Sequence, residues 1–256
     1  HVPIGKWMVS ILDHGRENQS FTMDVKEEGE EKNITLKPAS KINFSITNQK
    51  GEDTPCKIQF IGIKETSDPE LGPIDRAHGC SNQYHSETGT FSVALDPGNY
   101  RIIVTRGIEF DHFEKEIKLA PQQTLPLAAK LTRTVNTKGW VSTDFHNHST
   151  PSGDNVCGTD DRIINLAAEH IEFAPTTEHN RVYDWEPHIK KLGLSREIST
   201  VPGIELTGSG AHINAFPLHP RPYLQDNGSP KWVKDPRINA INLRDHHGHQ
   251  KNRWIH

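Results

Sequence analysis

The chain has 256 residues with 29 Lys and Arg against 33 Asp and Glu, so its net charge is −4 at neutral pH. This length suits one large or two ordinary domains, and the charge balance argues against a general binder of nucleic acid or anionic membrane. No stretch approaches the ~20 consecutive apolar residues of a membrane span, and the apolar share of 33% predicts a modest core with many loops.

Residues 1–38 are the first predicted unit, an extended segment that contains the β-type stretches KWMVSIL and NITLKPA. We interpret this segment as the tail of an upstream β module. The chain opens HVPIGKWMVSILDHG, with neither an initiator methionine nor a visible signal peptide. We therefore expect a mature or trimmed fragment of a longer protein.

Residues 39–135 are predicted to form a small all-β sandwich, because short strands with regular turn signals and few helical windows are typical of that fold. The Pro97-Gly98 pair favours a type II turn, since glycine accepts positive φ at the third turn position. The predicted strands are KINFSI (41–46), CKIQFIGI (56–63), GTFSVAL (89–95), RIIVTRG (101–107), FEKEIKLA (113–120) and LPLAAKL (125–131).

Residues 136–256 alternate between strand and helix patterns, which predicts an α/β domain with a parallel sheet. Thr159 is the expected N-cap of the first helix, and Gly193 is expected to stop the second. A closed barrel of this class takes about 250 residues, so the stretch predicts a barrel truncated at its C-terminus. Strands are expected over 139–147, 171–177, 198–207, 211–218 and 253–256, and helices over 159–170, 184–193 and 235–248.

The chain contains three cysteines. Cys56 and Cys80 both lie in β-type sequence and are able to pair, whereas Cys157 follows a histidine-rich loop. The count of cysteines is odd and there is no Cys-x-x-Cys motif, so three reduced thiols are as plausible as a Cys56–Cys80 disulfide.

Ligand-type side chains end four predicted strands of the second half. Because strand side chains alternate, Asp144, His146 and His148 share one face, and two imidazoles at i and i+2 can chelate one ion. Ligand-type residues gather at the carboxyl ends of strands in parallel α/β domains, so we expect the four strand ends to converge. They carry, in order, His146 and His148 with Asp154 in the following loop, Glu178 and His179, Glu205, and His212.

Imidazoles with carboxylates and without thiolates favour zinc, manganese or iron. A lone histidine at a strand end is usually a surface or core residue, but the ordered series on four successive strands indicates a metal centre. Asp144 is expected to orient an imidazole rather than bind metal. The run His246, His247 and His249 lies at a predicted helix end, where imidazolium complements the helix dipole, so we interpret it as solvated.

The motifs DFHNHS…SGD, TTEHN, GIELT and AHINAF resemble the ordered motifs of the PHP (polymerase and histidinol phosphatase) metallohydrolases. The G-W-x-x-x-D-F-H-x-H-S lead-in and H-I-N-A-F are similar to the CehA/McbA-type branch, named for carbaryl hydrolases. The stretch FSVALDPGNYRIIVTRG resembles a carboxypeptidase-regulatory or transthyretin-like β module, which often lies just upstream. Together the resemblance covers residues ~40–218.

This resemblance implies an α/β fold, a PHP-like distorted and incomplete β/α barrel preceded by a small all-β sandwich, with more than one divalent ion in the complete domain. The upstream β module and the fragment-like start of the chain favour a secreted or periplasmic bacterial protein. The implied roles are one metal on His146 and His148, a bridge from Glu205 to a second metal served by His212, and a third position near Asp154 and His179.

Two departures from the family pattern concern the ligand set. The family usually has Asp where this chain has Glu178, which changes the reach of that carboxylate. A later histidine and a Ser-Asp-x-His motif do not occur before His256, the last residue. We expect either a truncated chain or an incomplete set of ligands.

The residues and the resemblance together predict a metal-dependent hydrolase acting on a small-molecule phosphoester, carbamate, amide or ester. A bound metal lowers the pKa of water toward ~7 and so supplies a nucleophile at neutral pH. No P-loop, Gly-x-Ser-x-Gly or dinucleotide motif points to other chemistry. Asn180 and Asn214, beside the predicted ligands, are candidates for stabilising developing negative charge.

The alternative is an extracellular binding module with a degenerate metal domain, which the Glu178 departure and the missing motifs motivate. The absence of an obvious aromatic platform in the predicted sandwich counts against it. Nucleic-acid processing is disfavoured by the charge of −4 and the lack of a Lys/Arg stripe. The oligomeric state stays open.

Overall fold

The computed structural model describes residues 2–29, 31–246 and 253–256. Within these ranges the chain forms twelve β-strands, three α-helices and a short 3-10 helix, Gln225–Gly228. The first two strands, β1 (Gly5–Ile11) and β2 (Gln19–Val25), form an antiparallel two-stranded sheet of their own. The division of the chain at residues 39 and 136 stays a prediction.

Two sheets share one hydrophobic core between residues 41 and 131. A three-stranded sheet has the order β6-β3-β9, with β3 antiparallel to β6 and parallel to β9, and a four-stranded sheet has the order β5-β4-β7-β8 and is antiparallel throughout. The strands are β3 Lys41–Asn48, β4 Cys56–Gly62, β5 Gln83–Ser86, β6 Thr90–Ala94, β7 Gly98–Thr105, β8 Phe113–Leu119 and β9 Thr124–Leu131.

Alternating burial explains why these segments are strands. In β3 the side chains of Ile42, Phe44 and Ile46 are buried while the residues between them are exposed. In β4 the same period buries Ile58 and Phe60, and the Phe44 and Phe60 rings meet edge to face with centroids 6.1 Å apart. One face of each strand therefore points into a common core, as a period of two requires.

The predicted type II turn at Pro97-Gly98 is wrong. Gly98 begins β7 and is not among the residues with positive φ. Its lack of a side chain matters for a different reason, because a Cβ there would lie 2.6 Å from Cγ2 of Thr66. Close approach of a loop, rather than turn geometry, requires glycine at this position.

The three helices lie in the second half, at α1 (Thr159–Ala168), α2 (Glu186–Lys191) and α3 (Pro236–Asp245). Thr159 is the first helical residue of α1 rather than its N-cap, which is Gly158. Gly193 follows the C-cap of α2 with a φ of 73°, as a helix-stopping glycine should. The Asp235 side chain caps α3 by accepting from the backbone N–H of Arg237 at 2.9 Å.

A three-stranded antiparallel sheet holds the remaining strands, β10 (Ile204–Gly208), β11 (Ala211–Phe216) and β12 (Trp254–Ile255), in that order. The register of β10 and β11 pairs Glu205 with Asn214 and Thr207 with His212. Since paired residues project from the same face, these four polar side chains lie together on one side of the sheet. Leu206 and Ala215 project to the other side, into a small apolar cluster.

The predicted α/β class with a distorted barrel is wrong. In the part of the chain that the structure describes, strands far outnumber helices, the ladders after residue 136 are antiparallel, and no sheet closes. The predicted strands 139–147 and 171–177 form no ladder; single parallel bridges join Thr143 to Phe173 and Phe173 to Ser199.

Side-chain hydrogen bonds supplement the few backbone bonds that these two segments make with their neighbours. The backbone N–H of Ser142 donates to the Glu172 carboxylate at 2.9 Å, and the backbone N–H of Asn147 donates to the Thr177 hydroxyl at 2.8 Å. These side chains satisfy part of the backbone, while other groups pair with neighbouring segments, as the backbone N–H of Asp144 does with the Phe173 carbonyl at 3.1 Å. Local sequence patterns do not reveal such bonds between a side chain and the backbone of a distant segment.

The contacts that join the two-sheet unit to the second half include three with charged side chains. Arg106 donates to Glu197 at 2.6 Å, and the backbone N–H of Ala77 donates to the Asp161 carboxylate at 2.7 Å. Lys57 forms an ion pair with Glu169. The guanidinium of Arg106 is almost fully buried, so its contact with Glu197 is the one most shielded from solvent.

All three cysteines are free thiols, so of the two alternatives left open by the sequence, the structure has the reduced one, without a Cys56–Cys80 bond. Burial raises the pKa of the Cys56 thiol to about 12, which keeps it protonated. Within the described residues no helix has the length and apolar content to cross a bilayer. His247 and His249, interpreted from the sequence as solvated, lie outside the described residues.

Candidate metal centre

The His-x-His segment is held in place by the residue between the two histidines. Asn147 is buried, and its backbone and side chain bond to Thr177 Oγ1 and the Pro175 carbonyl at 2.8 and 3.1 Å. Thr177 Oγ1 in turn donates to the Asn147 carbonyl at 2.7 Å. This anchoring leaves His146 and His148, on either side of it, free to project toward β10.

Glu205 on β10 is the centre of the site, and its carboxylate is almost completely buried. The Nε2 atoms of His146 and His148 lie 3.4 and 3.3 Å from Oε2 of Glu205, and 3.0 Å from each other. These three atoms form a nearly equilateral triangle, although Glu205 is 57 positions from His148 and 59 from His146 in the sequence. The predicted convergence of these side chains is therefore present in the fold.

The triangle has the dimensions of one face of a tetrahedral metal site. Zinc binds imidazole nitrogen and carboxylate oxygen at about 2.0–2.2 Å, so two ligands at a tetrahedral angle are about 3.3 Å apart. The observed edges of 3.0, 3.3 and 3.4 Å bracket that value. The donor set, two imidazoles and a carboxylate, is one that zinc, manganese and iron accept.

Oε2 of Glu205 gives a second indication of a cation. It is buried and has no hydrogen-bond partner among the described residues, although three imidazole nitrogens lie within 3.4 Å of it. A buried carboxylate oxygen without a donor is costly unless a charge compensates it. A metal ion among these atoms would remove that cost.

A second group shares the same carboxylate. Nδ1 of His179 lies 2.9 Å from Oε2 of Glu205, and Nδ1 of His212 lies 2.8 Å from Oε1. Each group of three, His146–His148–Glu205 and His179–Glu205–His212, has ligand atoms within 4.8 Å of one another. One carboxylate thus contacts four imidazoles, an arrangement suited to bridging two ions.

Asp154 lies at the solvent side of this cluster. Its Oδ2 is 3.0 Å from Nε2 of His179, and its side chain is largely exposed. The other ring nitrogen of His179 lies 2.7 Å from the hydroxyl of Thr207. Asp154 therefore contacts the cluster through His179 rather than through Glu205.

Glu178, a predicted ligand, is in neither group of three. Its buried carboxylate accepts from the hydroxyls of Ser149 and Ser152, each at 2.5 Å, and from the backbone N–H of Ser149 at 3.0 and 3.1 Å. Both oxygens of the Glu178 carboxylate therefore accept hydrogen bonds from these two serines. The structure thus places Glu178 behind the histidines, not among them.

The other residues expected near the ligands make mainly backbone contacts. The Asp144 carboxylate accepts from the backbone N–H of His146 at 3.1 Å, not from an imidazole. The Asn180 side chain pairs with the backbone of Thr207 through two bonds of 2.9 Å, so it extends the β10 edge. Asn214 projects on the same face as Glu205, and its Nδ2 lies 3.1 Å from Nε2 of His256.

Several residues at the site had no signal in the sequence reasoning. Ser152 contacts His148, and Thr207 contacts His179, through their hydroxyls. His256 is brought beside Asn214 by paired backbone bonds of 2.8 and 3.0 Å. The serines in HSTPSGD were visible as a polar loop, but hydroxyls in loops are too common to single out.

Burial affects the protonation of the site. It holds the pKa of His148 below its ordinary value, and the neighbouring His179, whose ring stacks on it with centroids 4.4 Å apart, adds to the effect. The imidazole is accordingly neutral at neutral pH, the form that binds metal.

A third carboxylate and imidazole group, Glu109, His170 and Glu172, lies away from this site. Glu109 is already paired with Arg133, whose Nε lies 2.9 Å from its Oε2. The guanidinium supplies the positive charge that the carboxylate needs. We therefore do not interpret this group as a metal centre.

Comparisons with known proteins do not assign the chain to a family. No protein-family profile and no curated protein matches it. Among solved structures, it is similar to a Streptococcal ancillary pilin at 16% identity and a TM-score of 0.29, over 52% of this chain. The match covers 46% of the pilin chain, so this chain spans less than half of its length. A similarity at this level supports neither a shared fold nor a shared function.

Proposed function

We propose that the protein is a metal-dependent hydrolase whose centre is the group His146, His148 and Glu205. The triangle of their ligand atoms, with edges of 3.0–3.4 Å around a buried carboxylate oxygen that lacks a donor, is the observation that carries this proposal. The motif resemblance to PHP metallohydrolases supports the choice of hydrolysis; it concerns residues and chemistry, not the barrel.

The residues of the two groups would hold two divalent ions. A bound divalent ion would supply Lewis acidity and lower the pKa of water to about 7. His146, His148 and Glu205 would hold a first ion, and the group His179, Glu205 and His212 would hold a second. Zinc, manganese or iron suits these donors.

Asp154 is the candidate for moving a proton. Its carboxylate lies 3.0 Å from Nε2 of His179 and is largely exposed to solvent, so it joins the buried cluster to bulk water. An exposed carboxylate can accept a proton and release it to bulk water. The substrate class we propose is a small-molecule phosphoester, carbamate, amide or ester.

The test measures metal content and hydrolysis in the same preparations. Wild-type protein, loaded with Zn²⁺ or Mn²⁺, is assayed for bound metal and for turnover of p-nitrophenyl phosphate, p-nitrophenyl acetate and an aryl carbamate. We expect His146→Ala and Glu205→Gln to lose the metal and the activity together. The control is His219→Asn, which changes an exposed histidine outside the site and should retain both.

Full metal occupancy in His146→Ala would contradict the proposed centre. Stoichiometric metal without turnover of any of the three ester classes would contradict the hydrolase and favour a binding module instead.

A further inference from the structure

We propose that Ser152 is a positioning residue that sets the tautomer of His148 and so directs its Nε2 lone pair at the metal centre. Glu178 acts through Ser152 and is a support for the centre rather than a ligand. The part of this inference that concerns metal affinity rests on the proposed function. The tautomer of His148 can be measured without metal.

The argument begins with the hydrogen-bonding capacity of one hydroxyl. A serine hydroxyl has a single hydrogen to donate and two lone pairs to accept with. Ser152 is completely buried, and its Oγ has three neighbours within bonding distance. They are Glu178 Oε2 at 2.5 Å, the backbone nitrogen of His179 at 3.0 Å and Nδ1 of His148 at 3.1 Å.

Two of the three contacts have a fixed direction. The hydroxyl hydrogen goes to Glu178, because its carboxylate oxygen is the acceptor in that bond. The backbone N–H of His179 can only donate, so it occupies one lone pair of the hydroxyl. The hydroxyl has no further hydrogen for His148.

The direction of the remaining contact, between Ser152 Oγ and Nδ1 of His148, follows from the other two. Nδ1 of His148 must carry the hydrogen and donate it to the second lone pair of Ser152. In the neutral imidazole, a hydrogen on Nδ1 leaves a lone pair on Nε2. That atom is one corner of the triangle, 3.3 Å from Oε2 of Glu205 and 3.0 Å from Nε2 of His146.

Glu178 fixes the hydroxyl that makes this selection. Without the carboxylate, the hydroxyl could rotate and donate to Nδ1, which would put the hydrogen on Nε2 and block the metal. Ser149 donates to the other oxygen of Glu178 at 2.5 Å and contacts Thr159, but it makes no contact with an imidazole. Ser149 is thus a matched control: equally buried and bonded to the same carboxylate, without the link to a ligand.

The experiment compares Ser152→Ala with Ser149→Ala by zinc competition against a chelator in the full chain. Outer-sphere partners of metal-binding histidines typically contribute 10- to 100-fold to affinity, so we expect Ser152→Ala to weaken zinc binding by about 10- to 100-fold. Ser149→Ala should stay near wild type, and Ser152→Thr, which keeps the hydroxyl, should restore most of the affinity. Equal losses in the two alanine variants would overturn the proposal.

The second measurement is the long-range ¹H–¹⁵N spectrum of the histidine rings in metal-free wild-type protein, with His148 assigned by His148→Gln. We expect the Nδ1–H tautomer; an Nε2–H tautomer would overturn the inference even if Ser152→Ala failed to fold. If wild-type protein bound no zinc while His148 showed Nδ1–H, the proposed function would fail and the positioning role of Ser152 would stand.

Discussion

The two halves of the molecule are stabilised in different ways. Between residues 41 and 131, long ladders enclose one core in which side chains alternate between buried and exposed. After residue 136, short antiparallel strands, three helices and single bridges surround two smaller apolar clusters. The candidate metal centre lies in this second, less regular half.

The difference shows what each kind of structure provides. Regular ladders pair the backbone groups that face each other on neighbouring strands, and here they leave few polar side chains directed inward. The irregular segments 142–149 and 171–180 make few backbone bonds and add bonds from hydroxyls, amides and carboxylates, which brings buried polar groups together. A cluster of buried ligands is thus a product of the half that departs from regular pairing.

The largest effect is expected from the core of the two-sheet unit. Phe60 is completely buried between the sheets, so Phe60→Ala should lower the free energy of unfolding by about 3–5 kcal/mol through lost contacts and a residual cavity. Urea denaturation followed by circular dichroism measures this loss.

The control for that variant is Ile108→Ala, which changes a side chain that is 96% exposed and should alter stability by less than about 0.5 kcal/mol. A comparable loss in both variants would show that the shared core does not stabilise this half as described.

A smaller effect is expected where the two halves meet. Glu197→Ala removes the partner of the buried Arg106 guanidinium, which lies 2.6 Å from it. Hydrogen bonds to charged groups contribute about 1.5–3 kcal/mol, and the partial exposure of Glu197 places the expected loss in the lower part of that range.

Glu114→Ala is the matched comparison, because Glu114 and Arg101 form an exposed pair 3.9 Å apart within the two-sheet unit. Denaturation curves should show a clear loss for Glu197→Ala and almost none for Glu114→Ala. The reverse order would mean that Arg106 does not couple the halves.

The smallest effect concerns pH. Burial lowers the pKa of His85, in β5, below its ordinary value of 6.5, so the unfolded chain binds more protons than the folded chain in the window just below that value. Stability contributed by the neutral His85 is therefore present above pH 6.5 and is lost as the pH falls through 6.5 toward the folded pKa.

Between about pH 7.5 and about pH 5.5, the free energy of unfolding of metal-free His85→Leu should fall by less than that of metal-free wild type. Urea midpoints at the two pH values measure this difference. His78 opposes the trend, since its bond to Glu87 raises its pKa. His219→Leu is the control and should follow wild type; an unchanged pH slope in His85→Leu would contradict the assignment.

The sequence by itself determined six of the seven strands of the two-sheet unit, all but β5, and it identified residues at the candidate centre. Alternation of apolar side chains places Ile42, Phe44 and Ile46 on one face without reference to any distant contact. His146, His148, Glu205 and His212 were recognisable because imidazoles and carboxylates in that order are an uncommon combination with a direct chemical meaning.

Only the tertiary structure decided how those residues are arranged. The sequence predicted a parallel barrel, whereas the second half uses antiparallel strands and side-chain bonds, since short segments can satisfy their backbone in several ways of similar energy. It also predicted Glu178 as a ligand, and the fold directs that carboxylate to two serines instead. Pairing partners and side-chain direction depend on contacts between residues far apart in the chain, which local patterns do not encode.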